Sequence, residues 1–278
     1  MHRSRSRGRA GGRARARTES HDDRRHSMVR PQGGSVQTCP MSDVRVLAAA
    51  PEDAPWLREA VSPAEEARAS RFRDPVDTAR SLVASALLRH AVAGLQGLAP
   101  VEVTVGRWCR SCGGLADHGR PVALDSGTGL AAGVHLSAAH SGDVVLVAVT
   151  RAGAVGIDVE CAASADFDGF DDAVLSERER GHVQALPPVA RATWRARTWT
   201  RKEALLKATG HGLSVDPRGV DVLEPVGRWP DELAAALRPP SQAHFVDLPL
   251  SDSRHVATLA VLAVAAPSVL VDRLRPSA

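Results

Sequence analysis

Residues 156–160 read Gly-Ile-Asp-Val-Glu, and this stretch predicts a strand that also carries chemistry. We place the strand at residues 154–160, because Ile and Val favour extended backbone. Side chains alternate along a strand, so Asp158 and Glu160 share one face and the apolar residues share the other. Two carboxylates beside a glycine suit a hard divalent cation with room for a ligand, although a solvated strand face would look the same.

A second segment, Trp-Thr-Arg-Lys-Glu-Ala-Leu-Leu-Lys at residues 199–207, is helical in composition and is followed by glycine stop signals. Glu203 and Lys207 are four residues apart and therefore share one helix face. An exposed ion pair worth only ~0.3–0.5 kcal/mol is the plain alternative. However, Lys202 and Lys207 are the only two lysines among 35 basic residues. Arg does not replace Lys where a compact point charge is needed, so the pair suggests a site that uses ammonium groups.

A third segment, Ser-Ala-Ala-His-Ser-Gly at residues 137–142, places His140 at the junction of a strand and a turn. A histidine there could donate to an anion, although a lone surface histidine is the commoner case. Arg68, Arg80 and Arg120 are scattered cations that could converge on phosphates.

Hydrophobic periodicity, together with the Gly, Pro and capping residues that begin and end elements, predicts the remaining helices and strands. A helix begins at Ser62, which is followed by Pro and, three residues on, by Glu, as in a capping box. The other predicted helices are 76–98, 176–186 and 190–209. The other predicted strands are 44–47, 101–105, 134–137, 144–149, 220–223, 244–246 and 255–264.

Composition narrows the class of protein. Residues 1–40 contain ten Arg and three acidic residues, whereas the rest of the 278-residue chain carries 25 basic and 29 acidic groups. The mildly acidic body argues against a nucleic-acid-binding core, and the Arg-rich tail is predicted to be disordered. Met1, Met28 and Met41 are alternative starts. No apolar run reaches the ~20 residues of a membrane span, and no secretory signal is evident. We expect a cytoplasmic protein.

Together these motifs resemble the signature of the 4′-phosphopantetheinyl transferases. The Gly-Ile-Asp-Val-Glu stretch is followed by Trp-Thr-x-Lys-Glu-Ala-x-x-Lys, with 44 residues between Asp158 and Glu203. Residues 137–142 and the His-Gly-Arg-Pro segment at 118–121 resemble two further motifs of the Sfp-type branch, the longer monomeric one. The resemblance covers about residues 60–215.

The resemblance implies two similar α+β halves in a pseudo-twofold arrangement, with the active site at their junction. Composition predicts the disordered tail at residues 1–40, and we expect an N-terminal half at 41–150 and a C-terminal half at 151–278. The implied reaction transfers 4′-phosphopantetheine from coenzyme A to a serine of an acyl or peptidyl carrier protein, as in fatty acid, polyketide or nonribosomal peptide biosynthesis. A catalytically impaired homologue that binds coenzyme A or a carrier protein is the alternative.

The resemblance also carries over individual residues. Asp158, Glu160 and Glu203 match the ligands of Mg²⁺ or Mn²⁺, and Glu203 also matches the candidate base. Lys202 and Lys207 match the motif lysines, with Lys207 nearest the transferring phosphate.

Other matched residues hold the phosphates of coenzyme A. His140 and Arg120 match phosphate contacts, whereas Arg68, Arg80 and Ser81 match the positions around the 3′-phosphate. Two residues depart from the family pattern. Ala139 replaces a serine, so we expect one side-chain donor to be lost, and Arg120 replaces a lysine, which keeps the charge but changes the geometry.

Cys109 and Cys112, with His118 nearby, raise a separate question. A single Cys-x₂-Cys is a weak zinc signal, since zinc would need Cys161 or another group as the fourth ligand. The spacing favours a plain turn that contains two thiols.

Overall fold

Helices and strands are mixed along the chain, and the α+β class predicted from the sequence is confirmed. The computed structural model describes residues 43–125, 129–130, 133–223, 229–237 and 240–276. The strands are β1 Val44–Ala49, β2 Thr104–Cys109, β3 Gly114–Leu115, β4 Arg120–Asp125, β5 Gly129–Leu130, β6 His135–Ser141, β7 Val144–Thr150, β8 Ala154–Cys161, β9 Gln242–Leu248, β10 His255–Ala263 and β11 Val269–Arg273. The helices are α1 Ala54–Leu57, α2 Pro63–Ala69, α3 Pro75–Gln96, α4 Phe170–Val174, α5 Glu177–Ala185, α6 Pro188–Thr209 and α7 Asp231–Ala234.

The strands form three sheets, in the orders β11-β1-β7-β6, β8-β10-β9 and β3-β2-β4-β5. Neighbouring strands are antiparallel except β1 and β11, which pair in parallel with Val44 opposite Val269. The last described strand therefore completes the sheet that the first strand begins. Helix α3 covers this sheet, and its Leu87 and Leu88 are buried with Val147 in one apolar cluster.

Helix α2 begins where the capping pattern predicts. The Glu65 carboxylate accepts a hydrogen bond from the Ser62 backbone N–H at 2.8 Å. In return, the Ser62 hydroxyl accepts from the Glu65 backbone N–H at 3.4 Å. This reciprocal pair satisfies two backbone donors that a helix N-terminus leaves free.

Helix α6 lies directly against β8, and Gly156 makes that approach possible. A Cβ atom at Gly156 would lie 1.8 Å from the carbonyl oxygen of Ala204 in α6. Only glycine allows a backbone to come this close. The glycine that opens the strand motif therefore brings the helix motif into contact with it.

The first and second sheets meet along β6 and β8, where serine hydroxyls connect the two strands. Ser137 accepts a hydrogen bond from the Ile157 backbone N–H at 3.0 Å, and Ser141 accepts from that of Cys161 at 3.2 Å. This β6–β8 seam joins the segment that carries His140 to the segment that carries the two carboxylates.

The predicted strand 101–105 is correct only at residues 104–105, which open β2, and the predicted strand 220–223 is wrong. Residues 100–102 form a 3₁₀ turn, which the Glu102 carboxylate closes by accepting from the Ala99 backbone N–H at 2.7 Å. Residues 220–223 form no strand, because the Val222 backbone N–H donates to the Glu179 side chain at 2.9 Å instead of to a neighbouring strand. The strand β11 was not predicted.

The pseudo-twofold relation between residues 41–150 and 151–278 stays a prediction. The predicted disordered tail at residues 1–40 lies outside the described residues. In the part of the chain that the structure describes, no helix has both the length and the apolar character needed to cross a membrane.

Candidate active site

Asp158 and Lys207 form the centre of the site, where β8 faces α6. The Lys207 ammonium donates to Asp158 Oδ1 at 2.7 Å and to the Ile157 carbonyl at 3.2 Å. The Asp158 side chain is 8% exposed and that of Lys207 29% exposed, so the ion pair is open to solvent from the lysine side. The other oxygen of Asp158, Oδ2, is buried and has no hydrogen-bond partner.

Glu160 and Glu203 complete a cluster of three carboxylates around this pair. Burial raises the pKa of Glu203, and the charges of Asp158 and Glu160 raise it further, whereas Lys207 lowers it. Burial also raises the pKa of Glu160, with Asp158 adding to the effect and a hydrogen bond from Ser141 opposing it. Each carboxylate is therefore close enough to feel its neighbours, and the cluster carries more negative charge than one lysine neutralises.

The cluster fits a hard cation in its chemistry. Burial raises the pKa of Asp158 as well, so a positive charge among these oxygens would stabilise all three carboxylates. The unpartnered Oδ2 of Asp158 supplies a free ligand atom, and carboxylate oxygens are what Mg²⁺ prefers. Among the described residues, however, the oxygens of Asp158, Glu160 and Glu203 do not all lie within 4.8 Å of one another. Mutual repulsion and the bond from Lys207 to Asp158 are a physical reason for this spread.

Two clefts open beside the cluster and share part of their walls. The larger has a volume of about 550 Å³ and is lined by Lys207, Arg120 and His211, among others. The smaller, of about 270 Å³, is lined by Arg68, Ser81 and His140, among others. Their shared wall consists of Arg107, Gly119 and Ala138.

Most of the predicted phosphate contacts are thus divided between the two clefts, whereas Arg80 is not part of either. Arg68 also donates to the Ser85 hydroxyl at 3.2 Å, which fixes its side chain. Arg80 lines neither cleft; its guanidinium bonds Asp77 at 2.7 Å and the Gly142 carbonyl at 2.8 Å. Arg80 nevertheless lies near His140. Partial burial is the main cause that lowers the pKa of this histidine, and the charge of Arg80 lowers it further.

Lys202 lies in the core and not at either cleft, which differs from the coenzyme A contact predicted from the sequence. Its ammonium is fully buried, lies 2.6 Å from Glu179, and donates to the carbonyls of Val174 and Pro217 at 2.8 Å each. Lys202 therefore cannot contact coenzyme A phosphate without leaving the core. The two lysines of α6 point to different environments, and only Lys207 reaches the cleft.

The two departures from the family pattern have different consequences. Ala139 is 6% exposed and packs in the apolar core with Leu146 and Val159, so the missing hydroxyl is absent from the core and not from either cleft wall. Arg120 does line the larger cleft, at the start of β4.

Sequence reasoning missed three further basic residues of the larger cleft, namely Arg107, Arg110 and His211. Burial lowers the pKa of Arg107, and the nearby Arg68 adds to this, so the two guanidiniums share one positive region. Both ring nitrogens of His211 are buried without a partner. The pairing of Trp108 with Arg120 in neighbouring strands, which places Arg107 next to the His-Gly-Arg-Pro segment, was the missing information.

Comparison with known proteins shows which family this chain resembles. Residues 154–260 match the family model described as the 4′-phosphopantetheinyl transferase superfamily. The 4′-phosphopantetheinyl transferase HetI of Nostoc sp. is 30% identical over 159 residues, which cover 57% of this chain and 63% of that protein. The 4′-phosphopantetheinyl transferase of Bacillus subtilis is 28% identical over 62% of this chain and 69% of its own length.

The aligned region thus spans less than two thirds of the Nostoc relative. The solved structure of the Chronobacterium ammoniagenes ACPS-CoA complex is 21% identical, with a TM-score of 0.31, and covers 40% of this chain and 96% of that one. The expected resemblance to the Sfp-type 4′-phosphopantetheinyl transferases is confirmed by the family model and the two relatives.

Proposed function

We propose, from the match to the 4′-phosphopantetheinyl transferase superfamily and from the site itself, that this chain transfers 4′-phosphopantetheine from coenzyme A to a serine of an acyl or peptidyl carrier protein. One observation carries the proposal. The Lys207–Asp158 pair, with Glu160 and Glu203 beside it, lies at the edge of a cleft lined by Arg107 and Arg120. We further propose that the protein acts in the cytoplasm as a monomer.

The carboxylates Asp158, Glu160 and Glu203 would hold a divalent cation, Mg²⁺ or Mn²⁺, through their oxygens. When bound, such a cation neutralises charge on a pyrophosphate and stabilises the charge that develops during phosphoryl transfer. The unpartnered Oδ2 of Asp158 supports this assignment.

The cations of the two clefts would bind and orient the anionic parts of coenzyme A. Lys207 and Arg120 line the larger cleft and would face the pyrophosphate. Arg68 and Ser81 line the smaller cleft and would hold the nucleotide 3′-phosphate. Arg107 lies on the wall between the clefts, where its guanidinium could reach phosphates on either side.

Chemistry then requires little more than positioning and charge stabilisation. The serine oxygen of the carrier protein attacks the phosphorus that bears the pantetheine arm, and the bond from that phosphorus to the bridging oxygen breaks. Adenosine 3′,5′-bisphosphate leaves with that oxygen. Glu203 would accept the serine proton directly or through a water. Lys207 and His140 would stabilise the charge on the phosphate oxygens.

A direct test is to incubate the full chain with coenzyme A, Mg²⁺ and an apo carrier protein and to measure intact mass. The carrier should gain ~340 Da, the mass of the phosphopantetheine group that this transfer adds. The matched control is the same carrier with its acceptor serine changed to alanine, which should gain nothing. Binding of coenzyme A without any mass gain, across both acyl and peptidyl carrier proteins, would overturn the proposal.

A further inference from the structure

Two thiols and one imidazole converge in the turn that follows β2, outside the proposed reaction. The potential ligand atoms of Cys109, Cys112 and His118 all lie within 4.8 Å of one another. The Cys112 sulfur lies 3.5 Å from His118 Nε2. A tetrahedral zinc ion with Zn–S of ~2.3 Å and Zn–N of ~2.0–2.1 Å places sulfur and nitrogen about 3.5 Å apart, so the two atoms already have the required spacing.

The backbone of this turn is also arranged around Cys109. The Cys112 backbone N–H donates to Cys109 Sγ at 3.4 Å, and a hydrogen bond of this kind stabilises a thiolate. Gly113 follows with a φ of +70°, a conformation that glycine adopts without strain and that turns the chain back towards β3.

A carboxylate and a guanidinium behind it orient the ring of His118. Its Nδ1 lies 2.9 Å from Asp117 Oδ1, and the other carboxylate oxygen of Asp117 accepts from Arg71 at 3.3 Å. Because a carboxylate can only accept, Nδ1 carries the proton, and Nε2, on the side of Cys112, is the nitrogen left to bind a metal once it is unprotonated. A carboxylate behind a histidine in this way is the usual second layer of a zinc site.

We propose that Cys109, Cys112 and His118 bind a zinc-class divalent ion, with a fourth position left to water or another small ligand. Two thiolates and one imidazole are a soft donor set that selects zinc over Mg²⁺. Cys161 is not a member of the group, since its sulfur does not lie within 4.8 Å of all three ligand atoms. This replaces the plain turn that the spacing alone favours.

The position of the ion suggests what it stabilises. Cys109 lines the larger cleft and His118 the smaller one. Cys109 ends β2, and Cys112 and His118 lie in the segment between β2 and β4, the strands that carry Arg107 and Arg120. An ion bound there would fix the loop and, with it, the spacing of the two guanidiniums at the cleft.

The test measures metal and does not depend on transferase activity. The full chain, purified under reducing conditions and dialysed, should retain about one zinc per chain by elemental analysis. Reconstitution with Co²⁺ should give intense tetrahedral d–d bands and a thiolate-to-cobalt charge-transfer band. The charge-transfer band excludes the carboxylate cluster and also the oxygen-rich group Asp143, Asp252 and His255.

Variants separate the ligands from their support. Cys112→Ser removes an exposed ligand and should abolish both the zinc and the charge-transfer band, whereas Cys161→Ser is the matched control and should keep both. Asp117→Asn should weaken zinc binding by about 10- to 100-fold. A chelator should lower the melting temperature of the wild type but not that of Cys112→Ser.

Three results would overturn the proposal. These are no zinc and no cobalt spectrum in the reduced wild type, retention of zinc by Cys112→Ser, or loss of zinc from Cys161→Ser.

Discussion

Lys207 neutralises one oxygen of Asp158, at 2.7 Å, and leaves the other oxygen buried and unpaired. A pair of this kind is half satisfied, because a buried carboxylate oxygen without a partner raises the free energy of the folded state. The pair also connects β8 to α6, which are the two elements that carry the diagnostic motifs. The three carboxylates carry more negative charge than Lys207 neutralises, so one more positive charge would stabilise them.

Asp158→Asn tests this interpretation. The variant keeps the shape of the side chain but removes its charge, so transfer should fall by ~100-fold or more, about 2.7 kcal/mol of transition-state stabilisation. Turnover with coenzyme A and an apo carrier protein measures the loss, and circular dichroism checks the fold. Wild-type turnover in the variant, or in wild-type protein with excess chelator, would show that no cation acts at Asp158.

Lys207→Arg tests the use of a compact ammonium. The guanidinium is larger and spreads its charge over diverging donors, so it does not place one compact charge where Lys207 Nζ bonds both Asp158 and the Ile157 carbonyl. We expect turnover to fall ten- to a hundredfold, ~1.4–2.8 kcal/mol. Affinity for coenzyme A should fall less, because Arg68 and Arg120 still line the clefts. Unchanged turnover would mean that Lys207 is only a surface partner of its neighbours.

Local patterns predicted the elements that carry the site. The strand at residues 154–160 and the helix at 190–209 are both present, because alternation and helical spacing are properties of short segments. The contact between them depends on Gly156. The sequence shows that this residue has no side chain, but it does not show that Ala204 packs against it.

Other features depended on contacts between residues far apart in the chain. The scarcity of lysine drew attention to α6, but it could not show that Lys202 points inward to Glu179 while Lys207 points to the cleft. Likewise, β11 forms because it pairs with β1 at the other end of the described chain. Arg107 lies at the cleft because β2 pairs with β4, and short sequence patterns do not show this pairing.

The affinity for coenzyme A should depend on pH through His140. Partial burial lowers the pKa of His140, with Arg80 adding to the effect, so the free protein holds this ring neutral at pH 7. A bound phosphate beside the ring would raise the pKa again, and binding would then take up a proton. Affinity should therefore increase as pH falls from ~7.5 to ~6.

His140→Gln is the control for this dependence, because the phosphates of coenzyme A also titrate and do so in both proteins. Calorimetry in buffers of different ionisation enthalpy should detect proton uptake in the wild type and less in His140→Gln. Equal proton uptake in the two proteins would show that His140 does not face a phosphate.

Lys202 should prove to be a residue of stability and not of substrate binding. Lys202→Met leaves Glu179 as an uncompensated charge in a fully buried position, which typically lowers the free energy of unfolding by ~3–5 kcal/mol. Glu179 would still accept from the backbone N–H groups of Ser176 and Val222, so the fold should survive in weakened form. Adding Glu179→Gln removes the stranded charge and should recover part of the loss. Denaturant unfolding measures both changes, and the Michaelis constant for coenzyme A, taken where the variants are folded, should stay within about twofold of the wild type. The opposite result, unchanged stability with a Michaelis constant raised tenfold or more, would assign Lys202 to the cofactor site. It would mean that Lys202 is not held in the buried ion pair with Glu179 and is free to contact a phosphate.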